Sequence, residues 1–153
     1  MYNSPLFVTF TTLVTHIMRI LAVDPGEKNI GLAISDELGI SANPLMVIKH
    51  VQRQKDAARV AEIAHENDVE QIIIGQSLDD DGKPTFEGRK SARFAKALRA
   101  ETEILVQLWD EYRSTQSARE TRLKMGVSRK KRAGHLDDLA AAIILQSYLD
   151  ANQ

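Results

Sequence analysis

Short apolar runs and amphipathic stretches alternate along most of this chain. Runs that are apolar, or that alternate with a period of two, predict strands, and they are Arg19–Val23, Ile30–Ser35, Pro44–Lys49, Val69–Gly75 and Glu103–Trp109. Stretches with apolar residues at helical spacing predict helices, and they are Gln52–Asn67, Thr85–Ala100, Ser114–Met125 and Leu136–Leu149. Three strands come first and helices alternate with strands afterwards. This order predicts an α/β fold, with a mixed central sheet that starts as three antiparallel strands and is flanked by helices.

The length of 153 residues suits one domain with a real core. No internal repeat or linker divides the chain, so we expect residues 18–153 to form a single domain. Residues 1–17, MYNSPLFVTFTTLVTHI, are apolar but have neither a basic start nor a small-residue cleavage site. We expect them to be a disordered extension, or the working chain to start at Met18. No stretch is apolar for long enough to span a bilayer, so we expect a cytoplasmic protein without a membrane partner.

Composition excludes several kinds of site. The chain has no cysteine, which excludes disulfides, thiolate zinc sites and cysteine nucleophiles. It has no glycine-rich phosphate loop of the P-loop or dinucleotide type, and its serines have no nearby histidine base in sequence. The net charge is −1, so any attraction to nucleic acid must come from local clusters of basic residues.

Carboxylates stand at the ends of three predicted elements. Asp24 closes the first strand, in RILAVDPGEKNIGLAISD, and Asp110 and Glu111 follow the last strand. Asp137 and Asp138 open the last helix. One aspartate at such a position is usually a turn residue or a helix cap. If the three segments converge, however, their carboxylates repel one another unless a cation lies between them. Two Mg²⁺ or Mn²⁺ ions about 3.5–4 Å apart would suit oxygen ligands and phosphodiester hydrolysis.

Basic residues form two clusters. One lies on the helix that begins near Thr85, and the other runs from Arg113 to Arg132 through the glycine-bounded sequence GVSRKKRAG, which predicts a loop at Gly126–Gly134. Crowded like charges in a loop favour a polyanionic partner, although solvated helix surface explains the first cluster equally well. The expected nucleic-acid contacts are Lys28, Arg89, Arg93, Lys96, Arg113, Arg129, Lys130, Lys131 and Arg132.

Five motifs together resemble the YqgF/RuvX family. They are DPGEKNIGLAISD, PLMVIKH, IIIGQSLDDDG, LWDEYRSTQSA and HLDDLAAAIILQSYL, and they extend over about Arg19 to Leu149. The family is known for pre-16S rRNA nucleases, also described as Holliday-junction-resolvase-like proteins, with an RNase H-like fold. The resemblance implies a metal-dependent nuclease for the 5′ end of pre-16S rRNA in ribosome biogenesis. It also favours RNA over DNA and implies pre-ribosomal particles as partners.

The resemblance assigns roles residue by residue. It makes Asp24, Glu111 and Asp137 the catalytic residues and metal ligands, and Asp110 and Asp138 remain additional candidate ligands. Two positions depart from the family pattern. Tyr112 stands where the family has an arginine, with Arg113 one place later, and Gly75-Gln76-Ser77 replaces Gly-Leu-Pro.

Three alternatives stay open at this point. A DNA Holliday-junction resolvase would need a dimer to cut two strands symmetrically, and the sequence permits a monomer or a homodimer. A non-catalytic RNA-binding assembly or transcription factor would explain the departure at Tyr112. An ATP-dependent phosphotransferase would share the strand and Asp-x-Gly turn, but 153 residues leave no second lobe to enclose a nucleotide.

Overall fold

A computed structural model describes residues 18–110 and 136–153, with the side chains of the second range described from Asp138 onward. Its strands are β1 (Arg19–Pro25), β2 (Asn29–Ser35), β3 (Ala42–Lys49), β4 (Val69–Gln76) and β5 (Leu105–Asp110). Its helices are α1 (Arg53–Glu66), α2 (Phe86–Glu101) and α3 (Leu136–Ala151). The predicted helix Ser114–Met125 and loop Gly126–Gly134 lie outside the described residues, as do residues 1–17.

The five strands form one sheet in the order β3-β2-β1-β4-β5. β2 is antiparallel to both β1 and β3, whereas β4 and β5 run parallel to β1 and β4 respectively. This arrangement confirms the predicted mixed sheet with an antiparallel start. β1 is the central strand, and its carboxyl end therefore lies between β2 and β4.

Alternation along β1 divides the core into two clusters. Leu21 and Val23 belong to the cluster that the sheet shares with α1 and α2. Ile20 and Ala22 belong to the cluster on the opposite face, which α3 covers. Because helices cover both faces, the central strands are apolar on both sides and read as almost continuous apolar runs.

The helix ends agree closely with the sequence pattern. Gln52 and Asn67, the predicted limits of the first helix, are its N-cap and C-cap residues. Thr85 caps α2, and its Oγ1 accepts a hydrogen bond from the Gly88 amide at 3.1 Å. No helix among the described residues has the length and apolar character that a membrane crossing requires.

The third strand differs from the prediction at its start. It begins at Ala42, so Pro44 is its third residue rather than its first. Pro44 is tolerated there because β3 is an edge strand and its pairing with β2 shifts register between Leu32 and Ala33. Proline, which cannot donate to the ladder, is confined in sheets to such edges and bulges.

Candidate active site

Asp24 lies at the carboxyl end of β1, on the face of the sheet that α3 covers. The alternation of β1 places it with Ile20 and Ala22 rather than with Leu21 and Val23. Asp24 is half-buried, and its backbone pairs with Gly31 of β2. Asp24 is paired with β2, and the pairing of β1 with β4 reaches the preceding residue, Val23.

The direction of α3 brings its first turn toward Asp24. Near its C-terminal end, Gln146 accepts from the Ala42 amide at 2.9 Å and donates to the Ile40 carbonyl at 3.0 Å, where β3 begins. Leu149 lines a shallow cavity together with Ile20, at the start of β1. The C-terminal end of α3 therefore lies at the start of β1, and the helix begins toward the other end of that strand.

The lengths of the two elements agree with this placement. The helical rise from Leu149 back to Asp138 is about 16 Å, and the strand rise from Ile20 to Asp24 is about 13 Å. The backbone of Asp137 and Asp138 therefore lies at a similar level along the sheet to Asp24. Asp138 is half-buried, and the side chain of Asp137 is outside the described part.

Asp110 is the last residue of β5, and the packing of its neighbours indicates the face on which it lies. Val106 and Leu108 pack on the α1–α2 side, whereas Trp109 packs against the α3 cluster. Alternation then directs Asp110 to the α1–α2 face, opposite to Asp24. Glu111 lies outside the described residues. Among the residues that the structure describes, no group of three carboxylate or imidazole side chains is arranged to hold a metal.

The turn between β1 and β2 is tight. The Gly26 amide donates to the Asn29 carbonyl at 2.9 Å, and a Cβ at position 26 would lie only 2.5 Å from that oxygen. Only glycine fits here without a shift of the turn. Lys28 is exposed in this turn, and its carbonyl accepts from the His50 amide at 2.9 Å.

The basic residues of α2 form an exposed row. Arg89, Arg93 and Lys96 are all exposed and follow one another at helical spacing. Arg89 is partly engaged, because its Nη1 donates to the Pro84 carbonyl at 3.2 Å. The other expected contacts, Arg113, Arg129, Lys130, Lys131 and Arg132, lie outside the described residues.

The departure at Gly75-Gln76-Ser77 has a structural role. Gln76 Nε2 donates to the Gly88 carbonyl at 3.2 Å, and the Ser77 carbonyl accepts from the Thr85 amide at 3.0 Å. These contacts join the end of β4 to the first turn of α2. The substituted residues therefore hold the loop without the proline of the family pattern.

Neither His50 nor Asp56 is among the site residues that the sequence predicts. In the structure, His50 Nδ1 lies 2.5 Å from Asp56 Oδ2, and the two side chains are 42% and 4% exposed. The Val51 amide also donates to Asp56 Oδ1, at 3.1 Å. The only sequence signal was an acidic residue in the first turn of a helix, which usually indicates a favourable helix-dipole interaction and nothing more.

Known proteins resemble this chain in sequence over most of its length. The family model described as RuvX: Holliday junction resolvase matches residues 18–151. A relative from Syntrophus aciditrophicus is 44% identical over 134 residues, which cover 88% of this chain and 89% of the relative. A relative from Clostridioides difficile is 41% identical over 132 residues, or 86% of this chain and 94% of the relative. Both carry the name "Putative pre-16S rRNA nuclease".

Solved structures resemble the fold. The RuvC protein of T. thermophilus, solved in complex with a Holliday junction substrate, aligns with a TM-score of 0.61 and 20% identity, over 88% of this chain and 95% of that one. The fowlpox virus resolvase aligns with a TM-score of 0.52 and 19% identity, over 88% of this chain and 99% of that one. At these identities the likeness establishes the fold, and the expected RNase H-like architecture is confirmed. The sequence matches go further, and by them this chain belongs to the RuvX family.

Proposed function

We propose that this protein is a metal-dependent endonuclease that hydrolyses phosphodiester bonds in precursor 16S rRNA. The observation that carries the proposal is the position of Asp24: a half-buried carboxylate at the end of the central strand, on the face where α3 begins. Membership of the RuvX family and the names of its relatives support the substrate. Processing of such a precursor would place the protein in the cytoplasm, in contact with pre-ribosomal particles.

The donor set fits a hard divalent cation. The proposed ligands Asp24, Glu111 and Asp137 offer only carboxylate oxygen, the ligand that Mg²⁺ and Mn²⁺ prefer, and the chain contains no cysteine to favour a softer metal. Two bound ions would activate a water molecule and stabilise the leaving oxygen of the phosphodiester. Asp138, half-buried in the first turn of α3, is an additional candidate metal ligand. Asp110 is left out of the proposed ligand set because alternation along β5 places it on the opposite face of the sheet from Asp24.

The remaining residues of the site bind and position the substrate. β1 fixes the Asp24 backbone, because it is paired with β2 on one side and β4 on the other. Lys28 is exposed in the turn that follows Asp24, and Arg93 and Lys96 are exposed on α2. Their charges would contact backbone phosphates, which gives salt-dependent and largely sequence-independent affinity.

Cleavage of two substrates in parallel tests the proposal. The full chain is incubated with a transcript that carries the 5′ leader of 16S rRNA, and with a four-way DNA junction, in Mg²⁺ or in EDTA. We expect discrete RNA products in Mg²⁺, none in EDTA, and none with Asp24→Asn at an unchanged urea midpoint. Undiminished RNA cleavage by Asp24→Asn would refute the proposed site.

A DNA resolvase is the second candidate, favoured by the description of the family and by the fold shared with RuvC. It predicts paired, symmetric cuts in the four-way junction and a homodimer in solution, because two strands must be cut about one axis. A non-catalytic RNA-binding factor is the third candidate, because Tyr112 stands where the family has an arginine. It predicts salt-sensitive RNA binding without a Mg²⁺-dependent product. The same two incubations therefore separate all three functions.

A further inference from the structure

A cavity of about 550 Å³ opens between α1, α2 and the β1–β2 turn. Ile30 and Phe94 contribute apolar surface to it, and both belong to the core cluster on the α1–α2 side. This α1–α2 cavity therefore lies on the opposite face of the sheet from Asp24. Gly26 and Glu27 also line it, so only the β1–β2 turn separates the cavity from the end of β1.

The charges that line the cavity do not balance. Its two acidic residues are already engaged: Glu27 pairs with Lys90 at 3.3 Å, and Asp56 pairs with His50. Arg53 and Arg93 remain, one from each helix, and neither guanidinium makes a hydrogen bond or an ion pair within the described part of the chain. Two uncompensated guanidinium groups from separate elements thus face one space.

His50 also lines the cavity, where Asp56 engages its ring. When Asp56 is ionised its carboxylate can only accept, so His50 Nδ1 is the donor in the 2.5 Å contact, and the second nitrogen of a neutral imidazole is then an acceptor. Asp56 also accepts from the Val51 amide and is 96% withdrawn from solvent, so it holds the imidazole in one orientation. The other ring nitrogen, Nε2, has no intramolecular partner among the described residues.

This combination matches the chemistry of phosphate. Guanidinium groups present paired donors that fit two phosphate oxygens at once, and they are preferred over lysine where such geometry matters. A cavity of this volume has room for a phosphate with an attached sugar, and the apolar surface of Ile30 and Phe94 would exclude water from one side of it.

We propose that the α1–α2 cavity binds a phosphate group through Arg53 and Arg93, away from the acidic site. The phosphate would come from the backbone of the nucleic acid, and this assignment rests on the proposed function. A strand that crosses the β1–β2 turn would place one phosphate near Asp24 and a neighbouring one in the cavity. The cavity would then position the substrate without taking part in the chemistry.

Calorimetric titration with inorganic phosphate, in Mg²⁺-free buffer, tests the cavity directly. We expect saturable binding that Arg53→Gln and Arg93→Gln each weaken at least fivefold. Lys55→Gln is the matched control, because Lys55 is exposed on α1 but does not line the cavity. Asp24→Asn should bind phosphate normally. Absence of binding to the unaltered chain, or equal effects of Arg93→Gln and Lys55→Gln, would overturn the proposal.

A second titration identifies the source of the phosphate. If nucleic acid supplies it, the 16S leader transcript displaces inorganic phosphate, and Arg53→Gln lowers the salt dependence of RNA binding by about 0.7 in slope. If RNA neither competes with phosphate nor responds to Arg53→Gln while adenosine monophosphate does, the source is a free nucleotide. Both titrations are made without Mg²⁺, so a failure of RNA cleavage leaves their outcome unaffected.

Discussion

The Gln71 side-chain amide donates to the Tyr148 hydroxyl at 2.9 Å, and both residues are buried. The bond joins β4 to α3 through the apolar cluster on that face of the sheet. The Tyr148 ring also meets the Trp109 ring edge to face, with centroids 5.1 Å apart. These directional contacts fix the position of α3 along the sheet. They therefore also fix the position of its first turn relative to the end of β1.

Tyr148→Phe should lower the free energy of unfolding by about 1–3 kcal/mol, because the buried amide of Gln71 loses a partner. Gln71 keeps its bond to Gln107 at 3.0 Å, which places the expected effect at the lower end of that range. Urea unfolding measures the change. The double variant Gln71→Leu/Tyr148→Phe removes both polar groups and should recover part of the loss. If the double variant loses more free energy of unfolding than the two single variants lose together, this explanation is contradicted.

Local periodicity predicted the elements but could not predict their faces. The alternation of β1 is visible in the sequence, yet both of its faces are apolar, so the pattern does not tell which face α3 covers. For the same reason the opposite orientations of Asp24 and Asp110 emerge only from the packing of their neighbours. The His50–Asp56 pair bridges a loop and a helix. It depends on how the chain turns at Gln52, which residue spacing does not specify.

Gly88→Ala should destabilise the protein even though alanine is the better helix former. A Cβ at position 88 would lie 2.1 Å from the Ser77 carbonyl oxygen, a backbone atom that cannot move without disturbing the end of β4. We expect this contact to lower the free energy of unfolding by about 1–3 kcal/mol. Helix propensity alone would raise it by roughly 1 kcal/mol. The sign of the change in urea unfolding decides between them.

Gly82→Ala provides the comparison for Gly88→Ala. Gly82 has a φ of +77° and no neighbouring atom within 4 Å, so alanine there meets backbone strain but no steric contact. We expect a cost of about 1 kcal/mol, with the hydrogen bond between Gln76 and Gly88 retained. If Gly88→Ala proved more stable than the unaltered protein, the close approach of α2 to Ser77 would be refuted.

Asp36 should make folding sensitive to acid. The amides of Ile40 and Ser41 donate to its carboxylate, and these hydrogen bonds lower its pKa in the folded state below the usual 3.8. The stabilisation is complete above the unfolded-state pKa and is lost as the pH falls through the folded-state value. Asp36→Ala should therefore be less stable than the unaltered protein at pH 7, and the difference should shrink in acid below pH 3.8. A difference independent of pH, measured by urea unfolding, would show that the carboxylate charge does not matter.

Asp24→Asn and Asp110→Asn should differ sharply in their effect on cleavage. Both substitutions are nearly isosteric, and both residues stand at the end of a parallel-paired strand, but alternation directs Asp24 toward α3 and Asp110 toward α1 and α2. Loss of a metal ligand should reduce the rate of RNA cleavage by at least about 100-fold, since even an outer-shell partner of a metal site is worth 10- to 100-fold.

Asp110→Asn should leave the cleavage rate within about threefold, a size of effect that corresponds to less than 1 kcal/mol at the transition state. Asp80→Asn, an exposed carboxylate in the loop before α2, controls for the general loss of one negative charge. Initial rates are measured at saturating and at limiting Mg²⁺, because a weakened ligand set would be partly rescued by excess metal. Equal losses for Asp24→Asn and Asp110→Asn would mean that Asp110 belongs to the active site as well, and would contradict its placement on the α1–α2 face.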